Sequence, residues 1–476
     1  MEYEAVIGLE VHLHLKTRSK AFCGCSTEFG QPPNSQVCPV CLGFPGSLPV
    51  LNEVAFKYAV KAGVALNCTV QKETKFDRKH YYYPDLPKNY QISQYDQPVS
   101  IDGFLDVCLD KIPKRIRIKR VHLEEDAGKL IHQEDRSLVD FNRAGIPLLE
   151  IVTEPDISSP EEAYEYLSSL KNIIEYLDVS DCDMEKGSLR CDANVSVRFK
   201  GDKELGVKAE LKNMNSFKGV KDALAYEIER QIELVESGGK IVQETRLWDI
   251  KELKTVPMRT KEEARDYRYF PEPDLPLFTI SKEEIAEIEK DIPELPKEKS
   301  LRFIKEYGLS EYDARIIVAN KSNADYAEER FKAWPDKNKK PVANWLIGPL
   351  AAIASSSNIE ISKVKISAQD LLELIDLVEN KQLVSNLTGK AVLEEMAATG
   401  AQASSIIREK NLAQISDAGA LEKEIDIVIE ENTRSVDDFK AGKNNALMFL
   451  VGQVMKKTKG KANPKVVQEL LRRRLG

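Results

Sequence analysis

The sequence predicts an α+β fold: a mostly antiparallel N-terminal β cradle carrying helices, then a helical domain, then a small helical tail. Three observations predict it. Polar and apolar side chains alternate with period two in several segments before residue 213. Proline-rich breaks stand at Phe270-Pro271-Glu272-Pro273-Asp274-Leu275-Pro276 and at Ile292-Pro293-Glu294-Leu295-Pro296. Beyond the second break the apolar period is helical almost throughout. The expected domains are residues 1–294, 295–402 and 403–476, the last boundary resting on the small-residue stretch Ala397-Ala398-Thr399-Gly400-Ala401. A chain of 476 residues is too long for one ordinary core, so a division is required on size alone.

The first strand, Ala5 to Leu15, sets Leu9, Val11, Leu13 and Leu15 on one face and Glu10, His12 and His14 on the other. The loop at 21–43 follows with Cys23, Cys25, Cys38 and Cys41: Cys-x-Cys, a spacer of 12 residues, then Cys-x-x-Cys. In a reducing compartment two short-spaced pairs read as a tetrahedral thiolate set for Zn²⁺ rather than as disulfides. Four thiolates leave no open position, so the zinc would be structural. Cys68, Cys108, Cys182 and Cys191 are scattered and read as ordinary buried thiols.

The segment from Lys75 to Tyr95 packs Arg78, Lys79 and His80 against Tyr81, Tyr82 and Tyr83. Cations of this kind bind phosphate and tyrosines stack on bases or riboses. A strand begins near Arg115, with Arg115, Arg117 and Lys119 on its polar face; the beat slips at Arg120. It runs into Glu124-Glu125-Asp126 and the turn Ala127-Gly128-Lys129. Adjacent carboxylates repel where they converge in a cleft, and oxygen ligands beside a glycine turn suit Mg²⁺. A helix opens at Ser159-Pro160-Glu161-Glu162 and reaches about Leu177. The next strand carries Arg190, Asp192, Asn194, Ser196 and Arg198 on one face. Lys208, Glu210 and Lys212 repeat the pattern before a helix from Phe217 to Glu236. A saddle-shaped antiparallel sheet would bring these polar faces over one cleft. For any one of these residues an exposed strand side chain is the ordinary alternative.

The net charge of −8 argues against a simple nucleic-acid-binding module. The charge is uneven, however: residues 441–476 hold nine Lys and Arg, among them Lys456, Lys457, Lys459 and Lys461, against the single acid Glu469. That asymmetry points to a polyanionic partner for one end of the chain. No apolar run reaches membrane-span length, and the first residues carry no signal-peptide pattern, so a cytoplasmic protein is expected. There is no Walker A loop, no kinase signature and no dinucleotide-binding glycine fingerprint.

Longer motifs carry a resemblance. Val6-Ile7-Gly8-Leu9-Glu10-Val11-His12, Tyr82-Tyr83-Pro84-Asp85-Leu86-Pro87-Lys88, and His122-Leu123-Glu124-Glu125-Asp126-Ala127-Gly128-Lys129 are three of them. The block from Leu138 to Glu150, Gly187 to Ser196, Glu210-Leu211-Lys212-Asn213 and Asp266 to Pro273 are others. With these the chain resembles, over nearly its whole length, the B subunits of the tRNA-dependent amidotransferases (the GatB family), and its C-terminal part is similar to the YqeY family. The resemblance implies a carbon–nitrogen ligase working as a heterotrimer with A and C subunits. It implies that ATP and Mg²⁺ are used to phosphorylate the side-chain carboxylate of Glu-tRNA(Gln), Asp-tRNA(Asn) or both, and that ammonia released by the A subunit from an amide donor such as glutamine then displaces phosphate. By the same resemblance Glu10, His12, Glu124, Glu125, Asp192 and Glu210 are the catalytic and Mg²⁺ candidates. Lys79, Tyr81, Tyr82 and Arg190 are the candidates for ATP or substrate contacts, and the basic tail for tRNA. The Leu138–Glu150 block reads as mostly structural, with Arg143 pairing Asp140 or Glu150. Two other readings stand beside this one: an ATP-dependent carboxylate–amine ligase on a small metabolite, and a non-catalytic tRNA-binding scaffold.

Overall fold

The computed structural model describes residues 2–109, 111–259, 267–413, 418–458 and 461–476. It divides into two units, one ending at Leu295 and the other beginning at Pro296.

A nine-stranded sheet organises the first unit. Its strands are Tyr3–His14 (β1), Thr69–Val70 (β2), Ser100–Leu109 (β3), Ile112–Glu125 (β4), Pro147–Thr153 (β5), Leu189–Phe199 (β6), Ala209–Lys212 (β7), Glu244–Asp249 (β8) and Lys254–Arg259 (β9). The spatial order is β9-β8-β7-β6-β1-β5-β4-β3-β2. Every neighbouring pair is antiparallel except β7 with β8. The first strand therefore lies at the middle of the sheet, paired with β6 from Tyr3↔Phe199 to Leu13↔Leu189 and with β5 from Glu10↔Val152 to His14↔Leu148.

One face of the sheet is apolar, as alternation requires. Leu9, Val11 and Leu13 are buried there with Leu123, Leu149, Ile151 and Ala193. Three helices close that face: Glu53–Ala65 (α1), Pro160–Leu177 (α2) and Phe217–Glu236 (α3). They contribute Ala59 and Val60, Tyr166 and Leu170, and Val220 and Leu224 to the same core. Each starts where a side chain caps the first turn. Asn52 accepts from Val54 and Ala55, Ser159 from Glu162 ahead of Pro160, and Ser216 from Gly219.

The slip at Arg120 has a structural cause. Arg120 faces Val152 while Ile118 faces Thr153, so two steps on β4 oppose one on β5. This β-bulge restores Val121 and Leu123 to the core and turns His122 and Glu124 to the polar face. The segments Asp77–His80, Tyr90–Ser93 and Phe270–Pro271 form a separate three-stranded ribbon. From it the Ser93 hydroxyl donates to Glu124 at 2.9 Å, across the polar face.

The second unit is helical. Helices from Pro296–Tyr307 to Ala403–Glu409 precede a four-helix tail of Ala418–Glu431, Thr433–Lys440, Asn444–Lys457 and Pro464–Leu475. The tail has its own core, built on Leu421, Ile425, Leu450, Val454 and Leu471. Among the described residues no helix is long and apolar enough to cross a membrane.

Candidate functional site

Strand register builds the site. Arg190 of β6 faces His12 of β1, His12 faces Glu150 of β5, and Glu150 faces His122 of β4. Directly opposed residues share a face, so four strands present one line of polar side chains. One rung away Asp192 faces Glu10, and on the other side Glu124 faces Leu148.

The side chains converge accordingly. His12 Nε2 lies 3.4 Å from Glu10, 3.3 Å from Glu150 and 4.0 Å from Glu124. His122 Nε2 lies 3.2 Å from Glu150 and 3.8 Å from Glu124. Glu124 and Glu150 are only 2% and 3% exposed. Burial pushes both carboxyls up, but the positive neighbours win. Lys79 and His122 hold Glu124 below its ordinary value, and His122 and His12 hold Glu150 well below. The same charges act in reverse on the imidazoles. Against the downward pull of burial, Glu150 and Glu124 push His122 up to about 9, and Glu150, Glu124 and Glu10 raise His12. Glu10 is raised by burial and by Glu150, so a further cation beside it would favour its ionised form.

Two groups of ligand atoms each lie within 4.8 Å: Glu10, His12 and Asp192, and His12, Glu124 and Glu150. Each offers two carboxylates and one imidazole, and His12 belongs to both. Oxygen-rich sets of this kind fit Mg²⁺ or Mn²⁺. Raised histidines hold positive charge between the carboxylates, which is where a divalent cation would supply it.

The remaining sequence candidates surround this row. Glu210 accepts from Thr245 Oγ1 at 2.7 Å and pairs with Lys212 at 3.1 Å; Lys212 also pairs with Asp192. Glu125 is not brought to the row, because neighbours on a strand point to opposite faces. It pairs with Lys88, accepts from the Ile92 amide at 3.0 Å, and lines a separate cavity of about 200 Å³ with Lys20, Cys41 and Gly145. Half-buried Lys79 makes no ion pair within 4.0 Å among the described residues, and its Nζ is 5.1 Å from the Tyr267 ring centre. Burial lowers Lys79, but Glu124 and Glu150 raise it further. Tyr81 lies 3.4 Å from Gln91 Oε1, and burial pushes its hydroxyl up; Tyr82 is exposed.

Arg190 is held at 2.6 Å by Asp126, which also meets His14 at 2.6 Å and Arg143 at 3.5 Å. Burial opposes ionisation of Asp126, but Arg190, His14 and Arg143 hold it far below the carboxylate range. Arg143 thus pairs with Asp126, not with Asp140 or Glu150, and also donates to the Ala127 and Gly128 carbonyls at 3.0 and 2.6 Å. A Cβ on Gly128 would meet the Asp85 and Asp140 carbonyl oxygens at 3.0 Å, so the turn packs too closely for a side chain.

Glu150 and His122 are central here and were absent from the sequence candidates. Glu150 carried a signal: it is the one charged residue in the apolar strand Pro147–Thr153. His122 was hidden by the bulge.

The cysteine quartet converges as well. Cys23, Cys25, Cys38 and Cys41 bring their sulfurs within 4.8 Å. The Cys38–Cys41 Sγ distance is 3.9 Å, close to the edge of about 3.8 Å in a tetrahedron with Zn–S of about 2.3 Å. The Cys38 amide donates to Cys41 Sγ at 3.2 Å, and the fully buried Lys20 places Nζ 3.6 Å from the same sulfur and 3.3 Å from the Phe141 carbonyl. A hydrogen bond from Cys23 pulls the Cys41 thiol down to about 4. This quartet fits a structural zinc. Of the scattered cysteines, Cys182 and Cys191 are buried and Cys68 is half-buried, whereas Cys108 is exposed, contrary to expectation. In the tail, Lys456 is exposed, Lys461 is half-buried, and Lys457 pairs with Glu431 at 2.8 Å; Lys459 lies outside the described residues.

The sequence matches two family descriptions, "GatB/GatE catalytic domain" over residues 5–286 and "GatB domain" over residues 325–475. Similar proteins from several bacteria are named as B subunits of aspartyl/glutamyl-tRNA(Asn/Gln) amidotransferase. That of Caldanaerobacter subterraneus is 57% identical over the full length of both chains. That of Carboxydothermus hydrogenoformans is 55% identical over all of this chain and 99% of its own. That of Brevibacillus brevis is 54% identical over 99% of this chain and 98% of its own.

Proposed function

The chain belongs to the GatB/GatE family, and on that premise we propose that it is the B subunit of a tRNA-dependent amidotransferase, acting with A and C subunits on Glu-tRNA(Gln), Asp-tRNA(Asn) or both. A side-chain carboxylate is a poor electrophile, so the reaction proceeds in two steps. In the first, a carboxylate oxygen bonds to the terminal phosphorus of ATP, the bridging P–O bond breaks, and ADP leaves. In the second, ammonia bonds to the acyl carbon, the C–O bond to phosphate breaks, and loss of a proton leaves the amide and inorganic phosphate. The ammonia comes from glutamine through the A subunit.

One observation carries the reading: two ligand groups that share His12 lie on one face of the sheet in a chain that is similar along its whole length to amidotransferase B subunits. Glu10, His12, Asp192, Glu124 and Glu150 would hold the divalent cation. Bound Mg²⁺ would neutralise charge where ATP phosphates and a carboxylate, both anions, must meet. Arg190, fixed by Asp126, and Lys79 offer standing positive charge to the same anions, and Tyr81 and Tyr82 line the approach. Glu210 steadies Asp192 through Lys212. The cysteine quartet pins the 21–43 loop through zinc, and Lys456, Lys457, Lys459 and Lys461 contact tRNA phosphates.

The test is a thin-layer assay of Glu-tRNA(Gln) and Asp-tRNA(Asn) conversion by the complex assembled with its A and C subunits. Amide formation on at least one of them, with one ATP consumed per amide, is expected. Amide formation that proceeds without ATP, or undiminished with Glu124→Gln or Glu150→Gln, would sink the reading.

A further inference from the structure

The block from Leu138 to Glu150 connects two sites that stand apart in the sequence, the cysteine quartet and the carboxylate row. On one side it is zipped to the 12-residue spacer between Cys25 and Cys38. Asn34 donates from its amide to Asp140 Oδ1 and from Nδ2 to the Val139 carbonyl, each at 3.0 Å, and its Oδ1 accepts from the Phe141 amide at 2.8 Å. Asn142 answers from the block: its Oδ1 accepts from the Gln36 amide at 2.8 Å, and its Nδ2 donates to the Pro32 carbonyl at 2.7 Å. Asn34 has φ of +58°, a left-handed backbone that asparagine adopts more readily than most residues. Pro32 and Asn34 are exposed, so water competes for these bonds. They hold where the spacer is already in position.

The other side of the block meets the polar site. Gly145 accepts from the Ala21 amide and donates to the Asp126 carbonyl, each at 2.8 Å, and Ile146 accepts from the Asp126 amide at 2.9 Å. A Cβ on Gly145 would lie 3.5 Å from Cys41 Cβ and 3.7 Å from Glu125 Oε2, so this backbone is within contact range of both the quartet and the acidic turn. Its φ of +87° favours glycine. Arg143 holds the Ala127 and Gly128 carbonyls and Asp126, and Asp126 holds Arg190. Pro147 then begins β5, the strand that carries Glu150 into the row.

We infer that zinc in the cysteine quartet raises the affinity of the carboxylate row for its divalent cation, with residues 139–146 as the coupling segment and Asn34 and Asn142 as positioning residues. The inference rests on the reading above that the row holds such a cation. Four sulfurs drawn to one ion close the spacer into a loop, which sets Pro32, Asn34 and Gln36 for the block. The block in turn sets Glu150 through the start of β5, and Arg190 through Arg143 and Asp126. A ligand already held in place loses less freedom when the cation arrives. Coupling between two binding sites is reciprocal, so the cation at the row strengthens zinc by the same factor.

The experiment is Mn²⁺ titration of the full chain, first with zinc and then after zinc has been stripped and the chelator removed, with circular dichroism to follow the fold. The zinc-free chain should bind Mn²⁺ about tenfold more weakly, an ordinary size for coupling between sites. Asn34→Gly combined with Asn142→Ala should keep one zinc per chain and the parental melting temperature, yet bind Mn²⁺ about tenfold more weakly. Stripping zinc from that double variant should then change Mn²⁺ affinity by less than about twofold, because the connection is already cut. Glycine at position 34 keeps the left-handed backbone while removing the side chain. Glu28→Gln is the control: it lies on the same spacer, its side chain makes no hydrogen bond to the block among the described residues, and it should bind Mn²⁺ like the parent. A folded zinc-free chain that binds Mn²⁺ within about twofold of the zinc-loaded one overturns the inference and leaves the reading of the row intact. If the stripped chain unfolds, the double variant decides: zinc retained with parental Mn²⁺ affinity overturns the inference, and zinc retained with weakened Mn²⁺ supports it. A zinc-loaded parent that binds no Mn²⁺ overturns the reading of the row, and the inference with it.

Discussion

Glu124 and Glu125 are neighbours in sequence with opposite surroundings. Glu124 faces His122, Lys79 and Ser93, whereas Glu125 faces Lys88 and the Ile92 amide. The pair of acids was legible as chemistry, but which of the two joins the metal group depends on strand register, which composition does not carry. Mn²⁺ titration of the full chain should separate them. Glu124→Gln should weaken Mn²⁺ at least about tenfold, as loss of a ligand does, while Glu125→Gln should stay within about twofold. Equal losses in the two variants would remove Glu124 from its special place. Lys20 poses a similar question at the zinc site. It is fully buried, with a thiolate sulfur as its nearest charge partner, and a buried ammonium needs a counter-charge. Four thiolates on Zn²⁺ would carry a net charge of about −2, which Lys20 would offset. Lys20→Met should therefore release zinc to a chelator about ten times faster than the parent, read with a colorimetric zinc indicator. Release at the parental rate would show that the contact is incidental.

At the scale of elements, alternation and caps made β1, β6, α2 and α3 readable within a residue or two of their observed ends. What escaped was the register set by the slip in β4 and the strands β2, β3, β5, β8 and β9, the last two being short and mixed with no clean period. Those two strands are anchored by a buried charge that the pattern does not announce. Glu227 of α3 is fully buried and accepts from Arg230 at 2.9 and 2.7 Å, Gln231 at 2.9 Å and Thr255 of β9 at 2.8 Å, with Arg246 of β8 at 3.2 Å. Burial raises this carboxyl, but Arg230, Gln231 and Thr255 together leave it below the ordinary value. A depressed folded value means that ionised Glu227 stabilises the fold above the ordinary carboxylate range, and that this stabilisation is lost as pH falls through the folded value. Glu227→Gln should cost about 3 kcal/mol in denaturant titration at pH 7, and the difference from the parent should shrink below about pH 4. A cost that is unchanged from pH 7 to pH 3 would mean that the side chain acts by packing and not by charge.

On the scale of the whole chain, the basic C-terminus looks different once folded. Residues 441–476 alone carry nine basic residues against one acid, but the tail core starts earlier and brings acids with it. Over 418–476 the count is twelve Lys and Arg against eight Asp and Glu. Several of these cancel: Arg474 lies 3.3 Å from Asp426, Lys443 pairs with Asp438 and Lys457 with Glu431, each at 2.8 Å. The folded tail is thus no free polycation, and its capacity for phosphate rests on the basic residues left without ion pairs among the described ones: Lys423, Arg434 and Lys440 in its first half and Lys456, Lys461, Lys465, Arg472 and Arg473 in its second. Binding to tRNA through phosphates releases counterions, so the logarithm of the affinity falls linearly with the logarithm of salt concentration, by about one unit of slope per contact. Lys456→Ala and Lys461→Ala should each reduce that slope by about one. Lys457→Ala should reduce it less, because Glu431 already neutralises its charge. Filter binding of tRNA to the full chain across a salt series measures all three. If the Lys456 and Lys461 double variant kept the parental slope, the tail's free cations would not be where the phosphates sit.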